Sequence, residues 1–183
     1  MAVPNKRISN RFTGLDIVFL QTARDTAGAM LEMEATYHTG SREPVSHYHP
    51  RQTEDFTVIE GELQVKLDGV MRTLRPGETL HIAAGQRHSM WNSGTTPAVV
   101  IWRVQPAMDT EYLLETLTGL ANAGKTDANG FPGILQVALT ANAISDVMRI
   151  AAPPFPVQWT AFTLLRPLAR LLGYKPTYPE YLD

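Results

Sequence analysis

The stretch Gly40-Ser-Arg-Glu-Pro-Val-Ser-His47-Tyr-His49-Pro-Arg-Gln-Thr-Glu54, with six residues between Glu54 and Gly61, decides how this chain of 183 residues is read. Two histidines at i and i+2 on a strand project to the same face, so both imidazoles can meet one ion. A tight turn after Pro50 would bring Glu54 back onto the neighbouring strand beside them. Further along, Gly85-Gln-Arg-His88-Ser-Met-Trp-Asn92 offers a third histidine on a separate strand. Imidazole with carboxylate suits Fe, Mn, Zn, Ni or Cu rather than calcium. The chain has no cysteine, which excludes disulfides and thiolate ligation.

Outward from this stretch, short runs alternate apolar with polar residues between Gly, Pro, Asn and Asp. Leu31, Met33, Ala35 and Tyr37 interleave with Glu32, Glu34, Thr36 and His38. Leu63, Val65 and Leu67 do the same, and Asp68-Gly69 then supplies a hairpin turn. Val100, Trp102 and Val104 oppose Arg103 on the last such run. Many short strands with regular turn signals predict a mainly β chain, an antiparallel barrel closed or nearly so.

The pattern changes at Gln105-Pro106, so residues 1–104 read as the barrel and 105–183 as a helical extension packed on it within the same unit. Asp109 or Thr110 can cap a first helix that Gly124 stops. A second is expected over about residues 134–150, and a third over 157–172, kinked or divided at Pro167. The apolar stretch 150–165 is broken by Pro153, Pro154 and Pro156 and falls short of the roughly 20 residues of a membrane span. Arg166 and Arg170 lie one turn apart among leucines, but without a dense basic face the segment reads as a packed helix rather than a membrane-surface one.

The same alternation sorts the remaining candidates. His38 shares a face with Glu32 and Glu34, and His81 opposes Leu80 and Ile82, so both read as surface or structural residues. Tyr37, Phe56, Met90 and Trp102 point inward and form the candidate wall of a substrate pocket around the metal: mostly apolar with one polar focus.

The two segments resemble the two motifs of the cupin superfamily. The first reads Gly40-x6-His47-x-His49-x4-Glu54-x6-Gly61, one residue longer than the commonest spacing before the first histidine. The second reads Gly77-x5-Ala83-x-Gly85-x2-His88-x3-Asn92, with Ala83 where proline is usual. The resemblance covers about residues 28–104. It implies a jelly-roll-like β-barrel with one divalent ion per chain bound by His47, His49, Glu54 and His88, and a structural role for Asn92. The helical end of the chain is similar to that of uncharacterised bacterial cupin proteins.

Four protein ligands leave positions open on an ion that prefers five or six. The expected function is therefore a metal-dependent enzyme acting on a small organic molecule, as an oxidoreductase (dioxygenase) or an isomerase/lyase. Glu54, the only anionic ligand, is expected to matter most to catalysis. The alternative is a non-catalytic module that binds a small ligand, and a closed structural site comes third. With 44% hydrophobic and 19% charged residues the chain has an ordinary globular composition. A net charge of -2 gives no electrostatic reason for a nucleic-acid partner. No apolar run follows the basic N-terminus, so a cytoplasmic location is expected. Three apolar helices on a small barrel need something to pack against, so a homodimer built on strands or tail is expected as well.

Overall fold

Period-two burial builds the first half of the chain. In the computed structural model, which describes residues 2–127 and 130–182, ten strands precede the first helix. They are β1 (Arg7–Asn10), β2 (Leu15–Gln21), β3 (Leu31–Tyr37), β4 (His47–Tyr48) and β5 (Thr53–Glu60). After them come β6 (Leu63–Leu67), β7 (Val70–Leu74), β8 (Thr79–Ile82), β9 (His88–Trp91) and β10 (Ala98–Gln105). Their pairing is antiparallel. It gives a sheet of order β1-β2-β3-β10-β5-β8 facing a second that contains β4-β9-β6-β7, the two-sheet arrangement of a jelly roll.

Leu31, Met33, Ala35 and Tyr37 are buried along β3 while the residues between them are not, as their alternation requires. With Phe19, Phe56, Leu63 and Val65 they fill the space between the sheets. Each large side chain so buried contributes roughly 1.5–3 kcal/mol. Asp68 and Gly69 both adopt positive φ, as a two-residue hairpin demands, and pair Leu67 with Val70.

Gly61, at φ +71°, shows why the first motif ends in glycine. A Cβ there would fall 2.9 Å from Ala98 Cα and against the Pro97 carbonyl. Gly61→Ala is expected to cost about 2–4 kcal/mol, because both the conformation and the backbone contact resist it. Denaturant unfolding measures this; a midpoint unchanged from wild type would show that the β5–β6 turn can rearrange freely.

The second half departs from the sequence expectation in one place and narrows it in another. Helix α1 (Thr110–Asn122) begins and ends close to where it was placed. Helix α2 (Ile134–Ala143), by contrast, stops well short of residue 150. The chain turns at 144–148 and adds a strand, β11 (Arg149–Ile150), to the edge of β4. Ser145 and Asp146 break the helix, and pairing with β4 satisfies backbone groups that a longer helix would have satisfied internally. Helix α3 (Phe155–Leu171) is one continuous element with Pro167 inside it, not two pieces. The carbonyl that Pro167 leaves without a helical N–H donor is that of Thr163, an exposed residue open to water.

Specific bonds tie the two halves together. Buried Gln52 donates from Nε2 to the carbonyls of Pro106 and Ala107 and to Thr110 Oγ1. Lys6 Nζ meets the buried carboxylate of Glu115 at 2.6 Å. Ala151 N donates to Ser46 O beside β4. No helix among the described residues is long and apolar enough to cross a membrane.

Candidate metal centre

His47 opens β4 and His88 opens β9, and the two face each other in register on adjacent strands. His49 follows β4 directly, and its carbonyl accepts a 2.8 Å bond from Gly85 N, which fastens the first motif to the turn before His88. One ligand atom from each of the three imidazoles falls within 4.8 Å of the others. Glu54 arrives differently from the sequence expectation. It does not lie on the strand next to His47 and His49; it sits on β5 in the facing sheet and reaches across the interior. Its Oε2 stands 3.4 Å from His49 Nε2 and 2.9 Å from His88 Nε2.

The ring orientations are fixed from behind. Each Nδ1 is held by a backbone carbonyl: Val45 O for His47 at 3.0 Å, Gln86 O for His88 at 3.0 Å, and Val147 O for His49 at 2.7 Å. A carbonyl can only accept, so each Nδ1 carries a proton and each Nε2 is the nitrogen left to face an ion. Metal-binding imidazoles are commonly oriented in this way. Glu54 Oε2 and His49 Nε2 are buried without a satisfying hydrogen bond within the chain. Buried polar atoms rarely go unsatisfied. Three converging lone pairs beside an orphaned carboxylate oxygen fit a divalent transition metal.

The electrostatics of His47 and Glu54 agree with that fit. Burial lowers the pKa of His47 to about 3, with help from His88 and His49, so its ring is neutral at ordinary pH. Burial alone would raise the Glu54 carboxyl, but the three histidines outweigh it and hold the group at about 2, ionised. For His88 burial acts downward and is overcome, chiefly by the adjacent Glu54 carboxylate.

The cluster lies at the wall of a cavity of about 440 Å³. Tyr37, Phe56, Met90 and Trp102 all line it from the barrel, and Leu113, Phe131, Phe155, Trp159 and Phe162 line it from the helical half. The sequence reading missed this second wall, although Phe155, Trp159 and Phe162 fall at i, i+4 and i+7, the spacing of one helix face. It also missed Arg42 and Arg149 at the cavity, and it could not foresee Val147 O, because a carbonyl acceptor leaves no mark in side-chain pattern. His38 and His81 lie outside the centre, exposed and paired with Asp16 and Asp55. Asn92 is buried and bonds to the Tyr37 and Thr96 carbonyls, which is a structural arrangement.

A family model described as "Cupin domain" matches residues 33–104, the span from β3 to β10 that contains all four residues. Protein SchB of Streptomyces halstedii is 35% identical over 116 residues, which cover 58% of this chain and 83% of that protein. This chain is a cupin. The protein named "Probable oxidoreductase virH" from Hypocrea virens is 26% identical across 94% of the cupin described here and 86% of its own length. The solved structure of a predicted oxalate decarboxylase from Thermotoga maritima superposes with a TM-score of 0.50 at 21% identity. It covers 58% of this cupin and 99% of that chain, a likeness of fold.

Trp102 does more than wall the cavity of this cupin. Its indole N–H donates to Glu54 Oε1 at 3.0 Å while its ring stacks on Phe56, with centroids 5.5 Å apart. Trp102→Phe keeps an aromatic ring beside Phe56 and removes the donor together with the five-membered ring that carries it. Metal affinity is expected to fall about 10–100-fold, the usual cost of losing an orienting partner. Titration against a competing chelator checks this, and an unchanged affinity would mean that Glu54 holds its position without help.

Proposed function

We propose that this cupin is a metal-dependent oxidoreductase. In this reading His47, His49, Glu54 and His88 hold one divalent redox-capable ion, and the substrate is a small, mostly apolar organic molecule carrying an enol, phenol or carbonyl oxygen. The observation that supports it most directly is the set of three imidazoles whose Nδ1 atoms are tied to carbonyls, beside a buried carboxylate in a mainly apolar cavity. The oxidoreductase name of a relative that aligns over nearly the whole chain supports the choice of reaction class.

The chemistry such an ion supplies when bound is polarisation of an oxygen substituent and, for iron, manganese or copper, electron transfer. The chain's own residues do the rest. Glu54 brings the only negative charge among the four, leaving the loaded centre with a net charge of about +1, which favours an anionic or ionisable oxygen. Phe56, Met90 and Trp102 from the barrel and Phe155 and Phe162 from α3 keep water low, so the local field acts at full strength. Tyr37 is buried, and both that burial and the Glu54 charge raise its pKa. Its hydroxyl therefore stays protonated, and it has no hydrogen-bond partner among the described residues. It serves as a donor to a substrate oxygen, not as a base.

Protein loaded in turn with Fe(II), Mn(II), Cu(II) or Zn(II) tests the reading against a panel of phenols, enols, diketones and hydroxy acids, aerobically and anaerobically. Oxidised product from a redox-active form, absent with zinc and absent in Glu54→Ala reloaded with metal, is the expected result. Equal turnover by the zinc form would replace the proposal with Lewis-acid isomerase or lyase chemistry. Ligands that perturb the metal spectrum while none is converted would make the cupin a binding module.

A further inference from the structure

Helix α3 buries one face and leaves a second apolar face bare. Phe162 and Ala169 turn toward α2 and the cavity wall, Phe162 joining Val137 and Ala138 in a small core. Roughly a third of a turn round the helix, Val157, Ala161, Leu164, Leu168 and Leu171 form a separate row. All five are exposed, Leu164 at 75% and Leu171 at 83%. Their separations are four, three, four and three residues, the spacing that keeps one apolar seam facing a partner helix. Isolated surface leucines need no explanation, but an unbroken row at seam spacing marks an interaction surface.

We infer that this seam pairs antiparallel with the same helix of a second copy of the chain. Three observations favour a copy over other occupants. First, the seam fits itself. An antiparallel pair centred between Leu164 and Leu168 sets Leu164 of each copy against Leu168 of the other. It also sets small Ala161 against large Leu171, twice by symmetry. Second, no charged residue flanks the seam. The adjoining positions are Gln158, Leu165 and Leu172 on one side and Thr160 and Pro167 on the other, so identical copies meet without repulsion. Third, the basic residues are badly placed for an anionic membrane. Of the helix's two, Arg166 and Arg170, neither adjoins the seam, and Arg166 is turned over the Trp159 ring at 5.3 Å. A seam of this length is smaller than a standard protein interface, so a dissociation constant in roughly the micromolar range is expected.

Sedimentation of the full-length protein from about 1 to 200 μM, a range chosen to bracket that constant, reads the assembly directly. Wild type should pass from monomer to dimer, and Leu164→Glu should remain monomeric throughout. Leu164→Ser, a milder change at the same exposed position, should weaken the dimer at least about tenfold, with metal content, and melting temperature measured below the dissociation constant, unchanged in both variants. Because the chain has no cysteine, orientation can be tested cleanly. A 1:1 mixture of Ala161→Cys and Leu171→Cys proteins should form a covalent dimer on mild oxidation, and neither protein should do so alone. A wild type monomeric at the highest concentration overturns the inference, as does a dimer indifferent to Leu164→Glu. Cross-linking of Ala161→Cys with itself would establish parallel pairing and overturn it too. So would a monomer that co-floats with vesicles rich in phosphatidylglycerol, which would assign the seam to a membrane surface.

Discussion

His88→Ala protein is expected to purify with less than about a tenth of the metal that wild type carries, since even an orienting partner of a ligand is worth 10–100-fold in affinity. His88 is almost fully buried, and its Nε2 is the imidazole nitrogen nearest Glu54 Oε2. Removing it takes away one of three converging lone pairs and the closest neighbour of a carboxylate that is 1% exposed. The variant also leaves the ionised, 1% exposed Glu54 carboxylate with His49 as its nearest imidazole. Added metal should raise the melting temperature of wild type and leave the variant unmoved, because an ion stabilises only a fold that binds it. His81→Ala is the control: that ring is exposed and paired with Asp55, so its loss should change neither metal content nor melting. Equal metal in all three proteins would end the case for this centre.

Truncation after Gln105 is expected to give aggregated protein, or protein melting more than about 10 °C lower, an effect of several kcal/mol in a domain of this size. The cut removes all three acceptors of buried Gln52, the strand β11 that pairs with β4, and the α1 side of the Lys6–Glu115 ion pair. It also removes Val147 O, so any soluble fraction should bind metal more weakly, with His49 free to turn. Chelator competition on that fraction measures the second effect separately from the first. A soluble truncated protein with the melting temperature and metal affinity of the whole chain would make the helical half an independent attachment.

What was legible in the sequence was whatever repeats or spaces itself along the chain. Period-two alternation placed Leu31, Met33, Ala35 and Tyr37 inward because a strand's geometry leaves no other choice once one face is buried. The two motifs that carry His47, His49, Glu54 and His88 were legible as spacings of glycine and histidine, and β4, β5 and β9 bring these four residues together in the folded chain. Asp68-Gly69 announced its own hairpin through the one turn type that accepts positive φ twice.

Tertiary structure decided the rest, wherever the deciding partner lies far along the chain or is backbone. Glu54 stands in the opposite sheet from His47 because the crossing after Pro50 is set by the packing of two sheets, which no local pattern encodes. The expected second helix yields at Ala143 to a strand because β4 offers an edge, and local propensity is weak against a set of satisfied backbone bonds. The proton on His49 Nδ1 is fixed by the carbonyl of Val147, 98 residues away, and carbonyls are the same in every residue. So the sequence by itself determined which residues are capable of the chemistry. Only the folded chain determined how they are aimed and what closes over them, since direction and enclosure depend on long-range contacts that side-chain spacing does not record.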